Sequence, residues 1–295
     1  MACLCPISIP VKDKYLTIDG SKVYSVPCGK CPECSKDRIM AWVFRLQCEM
    51  GVSVNPVFLT LTYTDEHVPL TPSGLQTLRT KDHVDFMKKL RQHASRKLKS
   101  NIPLRYYACG EYGSTTERPH YHSILFNLPD EMAHSQWSRE ENRIVAPYLE
   151  HVWQNGAVHI GSVTAGSMAY VAGYMQKRLH THRDGYKDRE PEKSYVSKGL
   201  GQNYLTPARK AYYKKRLIPY IETTGGQKLK MPRYYKEKIY TLTDEEDKSK
   251  WHLKTLAKQF ALENPRFINE KHHFDFSVFK FHQSFKKSQQ KRQTL

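Results

Sequence analysis

Four segments of the chain are rich in β-branched and aromatic residues and end at turn-forming residues, which predicts strands. They are Val57–Tyr63, Leu104–Glu111, His120–Phe126 and Val158–Val163. Four further segments are predicted to be helical. They are the segment from Ser35 as N-cap to Met50, Lys81–Lys99, Gln136–Trp153 with an interruption at Pro147, and the segment around Tyr170–Leu179. This order of elements predicts an α+β fold, in which helices pack on an antiparallel sheet.

The two ends of the chain differ from this central region. Residues 1–34 are punctuated by proline and glycine, which predicts irregular structure. We therefore expect a Cys-rich segment with a helix over 1–50, a central core over 51–180 and a basic region over 181–295. In the last region we expect a helix near Lys248–Glu263, followed by a partly disordered basic tail.

The charge of the chain favours a polyanionic partner. The formal net charge is +18, and residues 181–295 carry 26 Lys and Arg against 13 Asp and Glu. An excess of this size is typical of proteins that bind nucleic acid, and it lies mostly in the C-terminal region. Aromatic residues are interleaved with the basic ones there, which suits base stacking beside phosphate contacts.

Composition also argues against a membrane protein. No run of about 18 apolar residues occurs, so we expect no membrane-spanning helix and no membrane partner. The first residues lack the basic start and apolar stretch of a signal peptide. We therefore expect the protein to act in a cytoplasm.

Cysteine spacing near the N-terminus predicts a metal site. Cys28, Cys31 and Cys34 form a doubled CxxC motif, and Cys3 or Cys5 can supply a fourth thiolate. A tight turn brings thiolates at this spacing to the same side, as in structural zinc sites. Four thiolates leave no open coordination position, so the role would be structural. The alternative is a set of reduced, unliganded thiols, since an odd number of cysteines argues against a disulfide framework.

A second candidate site lies on the predicted strand His120–Phe126. Residues i and i+2 of a strand face the same way, so His120 and His122 present two imidazoles on one face. A hairpin with its loop near 113–118 would set the carboxylate of Glu111 beside them. Two histidines and one carboxylate leave coordination positions open for catalysis and suit Mg²⁺ or Mn²⁺.

The predicted helix around Tyr170 carries a matching set of reactive groups. Tyr170, Tyr174 and Lys177 are spaced i, i+4 and i+7 and share one face. The opposite face carries five apolar residues, and we expect that face to lie on the sheet. These are Met168, Val171, Ala172, Met175 and Leu179.

These parts together suit cleavage of a phosphodiester by tyrosine. A tyrosine oxygen would attack phosphorus and give a 5′-phosphotyrosine and a free 3′-hydroxyl. A metal would polarise the phosphate, and Lys177 would stabilise charge in the transition state. A second tyrosine would allow a second transesterification without loss of the bond energy.

The motifs resemble those of the HUH endonucleases, which initiate rolling-circle replication. Phe58–Tyr63 looks like their first motif, His120-Tyr121-His122 like the second, and Tyr170, Tyr174 and Lys177 like the third in its two-tyrosine form. More closely, the chain is similar to the replication initiators of Microviridae phages of the gokushovirus type. Five stretches carry that similarity over roughly residues 1–240: Cys28–Cys34, Cys109–Gly113, Arg118–His122, Gly199–Leu205 and Met231–Tyr235.

The resemblance implies a sheet of about five antiparallel strands, origin nicking, a covalent intermediate and rejoining of single-stranded DNA. Expected partners are single-stranded and origin DNA, with a helicase and a polymerase of the host bacterium, in whose cytoplasm the protein would act. The side chains expected to contact DNA are Arg118, Arg178, Arg233 and Lys236. A plasmid-type initiator, relaxase or transposase of the same chemistry remains open, as does a non-catalytic zinc-bearing nucleic-acid-binding protein.

Overall fold

The computed structural model describes residues 3, 5–10, 23–96, 102–141, 143–180, 188–223, 226 and 228–240. The predicted helix near Lys248–Glu263 and the basic tail lie outside these residues. In chain order the elements are β1 (Ile7–Pro10), β2 (Val23–Val26), α1 (Pro32–Met50), β3 (Val57–Thr62), α2 (Thr80–Arg96), β4 (Arg105–Tyr112), β5 (Pro119–Phe126), α3 (Asp130–Ala133), β6 (Gln136–Ser138), β7 (Arg143–Val145), α4 (Pro147–Trp153), β8 (Val158–Ser162), α5 (Ala165–His180), β9 (Lys193–Val196), α6 (Pro207–Arg216), β10 (Tyr220–Glu222), β11 (Lys228–Lys230) and α7 (Arg233–Ile239).

The chain divides into two compact units, and helix α1 begins in the first and ends in the second. The first unit takes its described residues from Met1–Trp42 and Leu205–Leu295, and the second is Val43–Tyr204. The first unit holds the hairpins β1–β2 and β10–β11 with helices α6 and α7. Within it, buried aromatic and aliphatic side chains come from α6, β10 and α7, among them Tyr213, Ile221 and Tyr235.

The second unit is built on a five-stranded antiparallel sheet of order β8-β3-β5-β4-β9. One face of the sheet carries the main hydrophobic core, in which Leu61 and Tyr121 pack with Phe86 of α2 and Trp153 of α4. The other face carries the alternate residues of β4 and β5, and α5 packs there. The α+β architecture with a central antiparallel sheet is therefore confirmed.

Three local predictions are wrong, and proline explains two of them. Residues 136–145 form the hairpin β6–β7 instead of a helix, and Pro147 begins α4. Helix α1 begins at Pro32, so Ser35 lies in its first turn and donates its amide to the Cys31 carbonyl at 2.9 Å. Proline favours the first helical turn because it has no N–H to donate. Finally, part of the segment 1–34 is regular, since β1 pairs with β2.

The buried face of α2 also differs from the expected one. Val84 is 47% exposed, whereas His83, one residue earlier, is completely buried together with Met87 and Leu90. The His83 ring stacks on Tyr195, and its Nε2 atom lies 3.2 Å from the Ser123 hydroxyl. Tertiary packing has therefore placed a polar ring where the apolar pattern predicted valine.

The burial of His83 predicts a pH dependence of stability. Burial, with a smaller contribution from the positive charge of Arg91, lowers the pKa of His83 from 6.5 to about 3. The unfolded chain therefore binds this proton more readily than the folded chain between these values. Stability from this group is complete above pH ~6.5 and is lost as the pH falls, by about 2 kcal/mol at pH ~5.

We expect urea unfolding of the His83→Gln variant to show a shallower fall in stability between pH ~7 and pH ~5 than the wild type. The matched control is His67→Gln, because His67 is an exposed histidine. An equal pH slope in the wild type and His83→Gln would show that His83 is not the group responsible.

Candidate functional site

The pairing of β4 with β5 brings the predicted metal ligands together. In this antiparallel register Glu111 lies opposite His120, and Cys109 lies opposite His122. The connecting turn is closed by a 3.0 Å hydrogen bond from the Gly113 amide to the Arg118 carbonyl. Because side chains alternate along a strand, the carboxylate and both imidazoles share the sheet face that α5 covers.

The three side chains form a compact donor set. The Oε1 atom of Glu111 lies 2.6 Å from Nε2 of His120 and 3.1 Å from Nε2 of His122. One ligand atom from each residue lies within 4.8 Å of the others, close enough to share one cation. Two imidazole nitrogens and a carboxylate oxygen fit a divalent metal and leave positions for substrate.

The charge state of Glu111 suits this role. Burial opposes ionisation of its carboxyl, but the hydrogen bonds and positive charge of His120 and His122 outweigh burial, so the pKa of Glu111 is lowered. The group is therefore a carboxylate at neutral pH, as metal binding requires.

Hydrogen bonds at the far side of each imidazole orient the metal-binding nitrogens. Nδ1 of His120 lies 3.0 Å from the Arg118 carbonyl, which can only accept. The proton of His120 therefore sits on Nδ1 when the ring is neutral, which leaves the Nε2 lone pair for a cation. Nδ1 of His122 lies 2.9 Å from the Thr60 hydroxyl, which holds that ring in the same way.

Thr60 is a functional residue that the sequence did not single out. It belongs to the first motif on β3, but its role follows from the pairing of β3 with β5, which sets it opposite His122. Only the strand register, which depends on residues 62 positions apart in sequence, could have revealed this contact.

We expect Thr60→Val to weaken metal binding by about 10–100-fold, because valine keeps the shape but cannot hold the imidazole of His122. The measurement is the Mn²⁺ concentration that gives half-maximal metal-dependent activity. The matched control is Thr62→Val, since the Thr62 hydroxyl contacts the Ala157 carbonyl at 3.2 Å and no histidine. Equal Mn²⁺ requirements in wild type and Thr60→Val would contradict this role.

Helix α5 places the two predicted tyrosines against the histidines. The Tyr170 hydroxyl lies 3.5 Å from Nε2 of His122, and the Tyr174 hydroxyl donates to the Tyr170 oxygen at 2.5 Å. The Tyr174 ring stacks on the His122 ring at 5.8 Å between centroids. The two phenols, both imidazoles and Glu111 therefore form one continuous cluster of side chains.

The expected orientation of α5 is wrong. The tyrosine face of the helix packs toward the sheet, and Tyr170 and Tyr174 are only 8% and 7% exposed. The apolar residues Val171 and Ala172 are buried as well, so the helix is enclosed on both faces. A helical wheel gives angles between side chains, but it cannot tell which of two buried faces meets a given partner.

Burial also sets the chemistry of the phenols. It is the main cause that raises the pKa of both Tyr170 and Tyr174, and the nearby charge of Glu111 adds to the effect. Both hydroxyls are therefore protonated at neutral pH. A nearby positive charge, such as a bound cation, would favour the phenolate.

The remaining predicted residues are placed separately. Lys177 and Arg178 belong to α5, but their side chains lie outside the described part of the chain. Arg118 binds the Asp65 carboxylate at 2.5 Å and the Tyr63 carbonyl at 2.8 Å, so it braces the loop after β3. On α7, Arg233 pairs with Glu237 at 2.5 Å on an exposed face. Lys236 lies on the same helix.

The N-terminal cysteines form a second group suited to a metal. The Sγ atoms of Cys3, Cys28, Cys31 and Cys34 lie within 4.8 Å of one another. Cys3 rather than Cys5 completes this group, and Cys5 is exposed.

Comparison with known proteins agrees with the sequence motifs. A family model described as replication-associated protein ORF2 matches residues 56–179, from the start of β3 through most of α5. The replication-associated protein ORF2 of Spiroplasma virus 4 is 31% identical, over 81% of this chain and 80% of its own length. The replication-associated protein VP4 of Bdellovibrio phage phiMH2K is 30% identical, over 72% of this chain and 67% of its own. No solved structure matches the chain at a significant level.

Similarity of this extent defines a class of phage replication proteins. A third relative, the replication-associated protein ORF4 of Chlamydia phage 1, is 25% identical over 76% of this chain and 55% of its own length. The chain belongs to the replication-associated protein ORF2 family and, within it, to the gokushovirus type of the Microviridae. The resemblance predicted from the motifs is confirmed. Within the described residues, no helix combines the length and apolar character needed to cross a bilayer.

Proposed function

We propose that the chain initiates rolling-circle replication of a small phage genome by nicking and rejoining single-stranded DNA at its origin. The observation that carries this proposal is the 3.5 Å separation between the Tyr170 hydroxyl and Nε2 of His122. It sets a nucleophile beside a donor set of two imidazoles and a carboxylate. A protein that only binds nucleic acid needs neither of these groups.

His120, His122 and Glu111 would hold Mg²⁺ or Mn²⁺, which when bound polarises a phosphate and draws off charge from the attacked centre. The residues of the chain define the rest of the reaction. The Tyr170 oxygen forms a bond to phosphorus as its proton leaves, and the bond from phosphorus to the 3′ oxygen breaks. The products are a 5′-phosphotyrosine and a 3′-hydroxyl, so no phosphoester bond is lost.

The hydrogen bond between the phenols gives them different roles. Tyr170 is the phenol nearest the imidazole of His122, and its oxygen accepts a hydrogen bond from Tyr174, which would stabilise a Tyr170 phenolate. We assign the first cleavage to Tyr170 and a later strand transfer to Tyr174. Lys177 follows Tyr174 on the same helix and is assigned to stabilise charge on the attacked phosphate.

Basic side chains would guide the DNA to this site. The predicted contacts are Arg118, Arg178, Arg233 and Lys236, in a chain of net charge +18. The sequence contains no GxxxxGK[ST] phosphate-binding loop, so strand separation would depend on a host helicase, and synthesis on a host polymerase. These assignments place the activity in the cytoplasm of the host bacterium.

The decisive experiment uses oligonucleotides that tile both strands of the encoding phage genome, incubated with the full chain and Mn²⁺. We expect one tile to give a covalent protein–DNA adduct that survives denaturing electrophoresis, with release of a fragment ending in a 3′-hydroxyl. If every tile binds and none forms an adduct, the chain is a non-catalytic DNA-binding protein. Strand transfer between tiles from the plasmid of another replicon, but not from the phage genome, would favour a plasmid-type initiator.

A further inference from the structure

The four cysteines of the first unit have the geometry of a bound metal rather than of a disulfide. The Sγ atoms of Cys3 and Cys31 lie 3.7 Å apart, far beyond the S–S bond length of about 2.05 Å. All four Sγ atoms of the group lie within 4.8 Å of one another. Cys31 is buried, and Cys3, Cys28 and Cys34 are partly buried.

Backbone amides point at the sulfur atoms, as they do around metal-bound thiolates. The Cys28 amide donates to the Cys3 sulfur at 3.2 Å. The amides of Lys30 and Cys31 donate to the Cys28 sulfur at 3.4 and 3.2 Å. Such N–H groups stabilise the negative charge of a thiolate, whereas a neutral thiol is only a weak acceptor.

The local backbone brings the ligands to one side. Gly29 has a φ of +73°, and a Cβ atom there would approach the guanidinium of Arg38 to 3.3 Å. Arg38 donates to the Gly29 carbonyl at 2.9 Å, which holds the turn between Cys28 and Cys31 against α1. Cys34 lies in the first turn of α1, three residues after Cys31, so both sulfurs reach the same point.

We propose that Cys3, Cys28, Cys31 and Cys34 bind one Zn²⁺ ion. Tetrahedral zinc with Zn–S bonds of about 2.3 Å places neighbouring sulfurs about 3.8 Å apart, which agrees with the 3.7 Å between Cys3 and Cys31. A cubane iron–sulfur cluster needs its cysteine sulfurs much farther apart, because the cluster lies between them. Four thiolates fill the coordination shell, so this zinc is structural and takes no part in phosphodiester chemistry.

The site explains how the N-terminal hairpin is held. Strands β1 and β2 form a sheet of only two strands, and the residues of β1 are exposed. A two-stranded hairpin is marginally stable alone. Because Cys3 precedes β1 and Cys28 follows β2, one zinc ion closes the loop that contains the hairpin and fastens it to the start of α1.

The test measures metal content of the full-length chain purified without added chelator. We expect about one Zn²⁺ per chain by mass spectrometry of the metal, released by a mercurial reagent that blocks thiols. Replacing zinc by Co²⁺ should give the charge-transfer and ligand-field bands of a tetrahedral tetrathiolate. Free thiols and no metal in the wild type would overturn the proposal. Iron with a visible charge-transfer band would overturn zinc in favour of an iron–sulfur centre.

Variants separate this site from the histidine site. Cys34→Ser should lose the zinc, whereas Cys34→His should keep it, since histidine can replace one thiolate. Cys5→Ser and Cys48→Ser are matched controls that should retain one zinc per chain. The His120→Ala/His122→Ala variant should also retain it, because those residues belong to the other donor group. Loss of zinc from the histidine variant, with retention in Cys34→Ser, would assign the metal to the wrong site and reject the proposal.

Discussion

The Tyr170→Phe/Tyr174→Phe variant is expected to lose covalent adduct formation by at least about 10³-fold, because both candidate nucleophilic oxygens are removed. Phenylalanine keeps the rings that pack against His122, so the helix should remain in place. The measurement is the yield of protein–DNA adduct on denaturing gels with the oligonucleotide tile that the wild type cleaves.

The single variants test the order of the two tyrosines. Tyr170→Phe should abolish the first cleavage, since Tyr170 is the phenol nearest the His122 imidazole. Tyr174→Phe should still cleave, more slowly, but should fail to join the cleaved strand to a second one. Tyr212→Phe is the matched control, because Tyr212 is 45% exposed on α6. Persistence of the adduct in the double variant would reject tyrosine catalysis, and the reverse order in the single variants would reverse our assignment.

The His120→Ala/His122→Ala variant is expected to lose cleavage by at least about 10³-fold while binding single-stranded DNA within about 3-fold of the wild type. The reason is that two of the three metal ligands are lost, whereas affinity for DNA comes mainly from basic residues. Cleavage and binding are measured on the same oligonucleotide, by adduct yield and by fluorescence anisotropy. Removing metal with EDTA should reproduce the loss, and added Mn²⁺ should restore only the wild type.

Two further variants sharpen that result. Glu111→Gln keeps the shape of the side chain but removes its charge, so we expect a higher Mn²⁺ requirement than in the wild type. His67→Ala is the matched control, since His67 is exposed and hydrogen-bonds to Thr64 at 2.8 Å. Equal loss of binding and cleavage in the double histidine variant would mean that the histidines are structural.

Much of the central sheet could be predicted because strand composition is a local property. The strands beginning near Val57, Arg105 and Val158 appear within a residue or two of their expected positions. The predicted helix over 136–153 fails because propensity does not reveal that Trp137 and Ile144, 59% and 47% exposed, face away from the core. Without a buried apolar stripe those residues had no reason to remain helical, and they form a hairpin instead.

The site divides along the same line. Alternation along β5 was enough to predict that His120 and His122 share a face, and the short turn after β4 was enough to predict Glu111 beside them. Both inferences use contacts between residues that are close in sequence. Spacing on α5 likewise predicted that Tyr170 and Tyr174 share a face, because the geometry of a helix is independent of its surroundings.

Contacts between distant segments were decided only by the tertiary structure. It set the phenols of α5, rather than its apolar residues, against the histidine strand, and it placed Thr60 behind His122. It also selected Cys3 over Cys5 for the cysteine group. These choices depend on which buried surfaces meet. That is decided by the summed packing and hydrogen bonding of the whole chain, which no local pattern of residues contains.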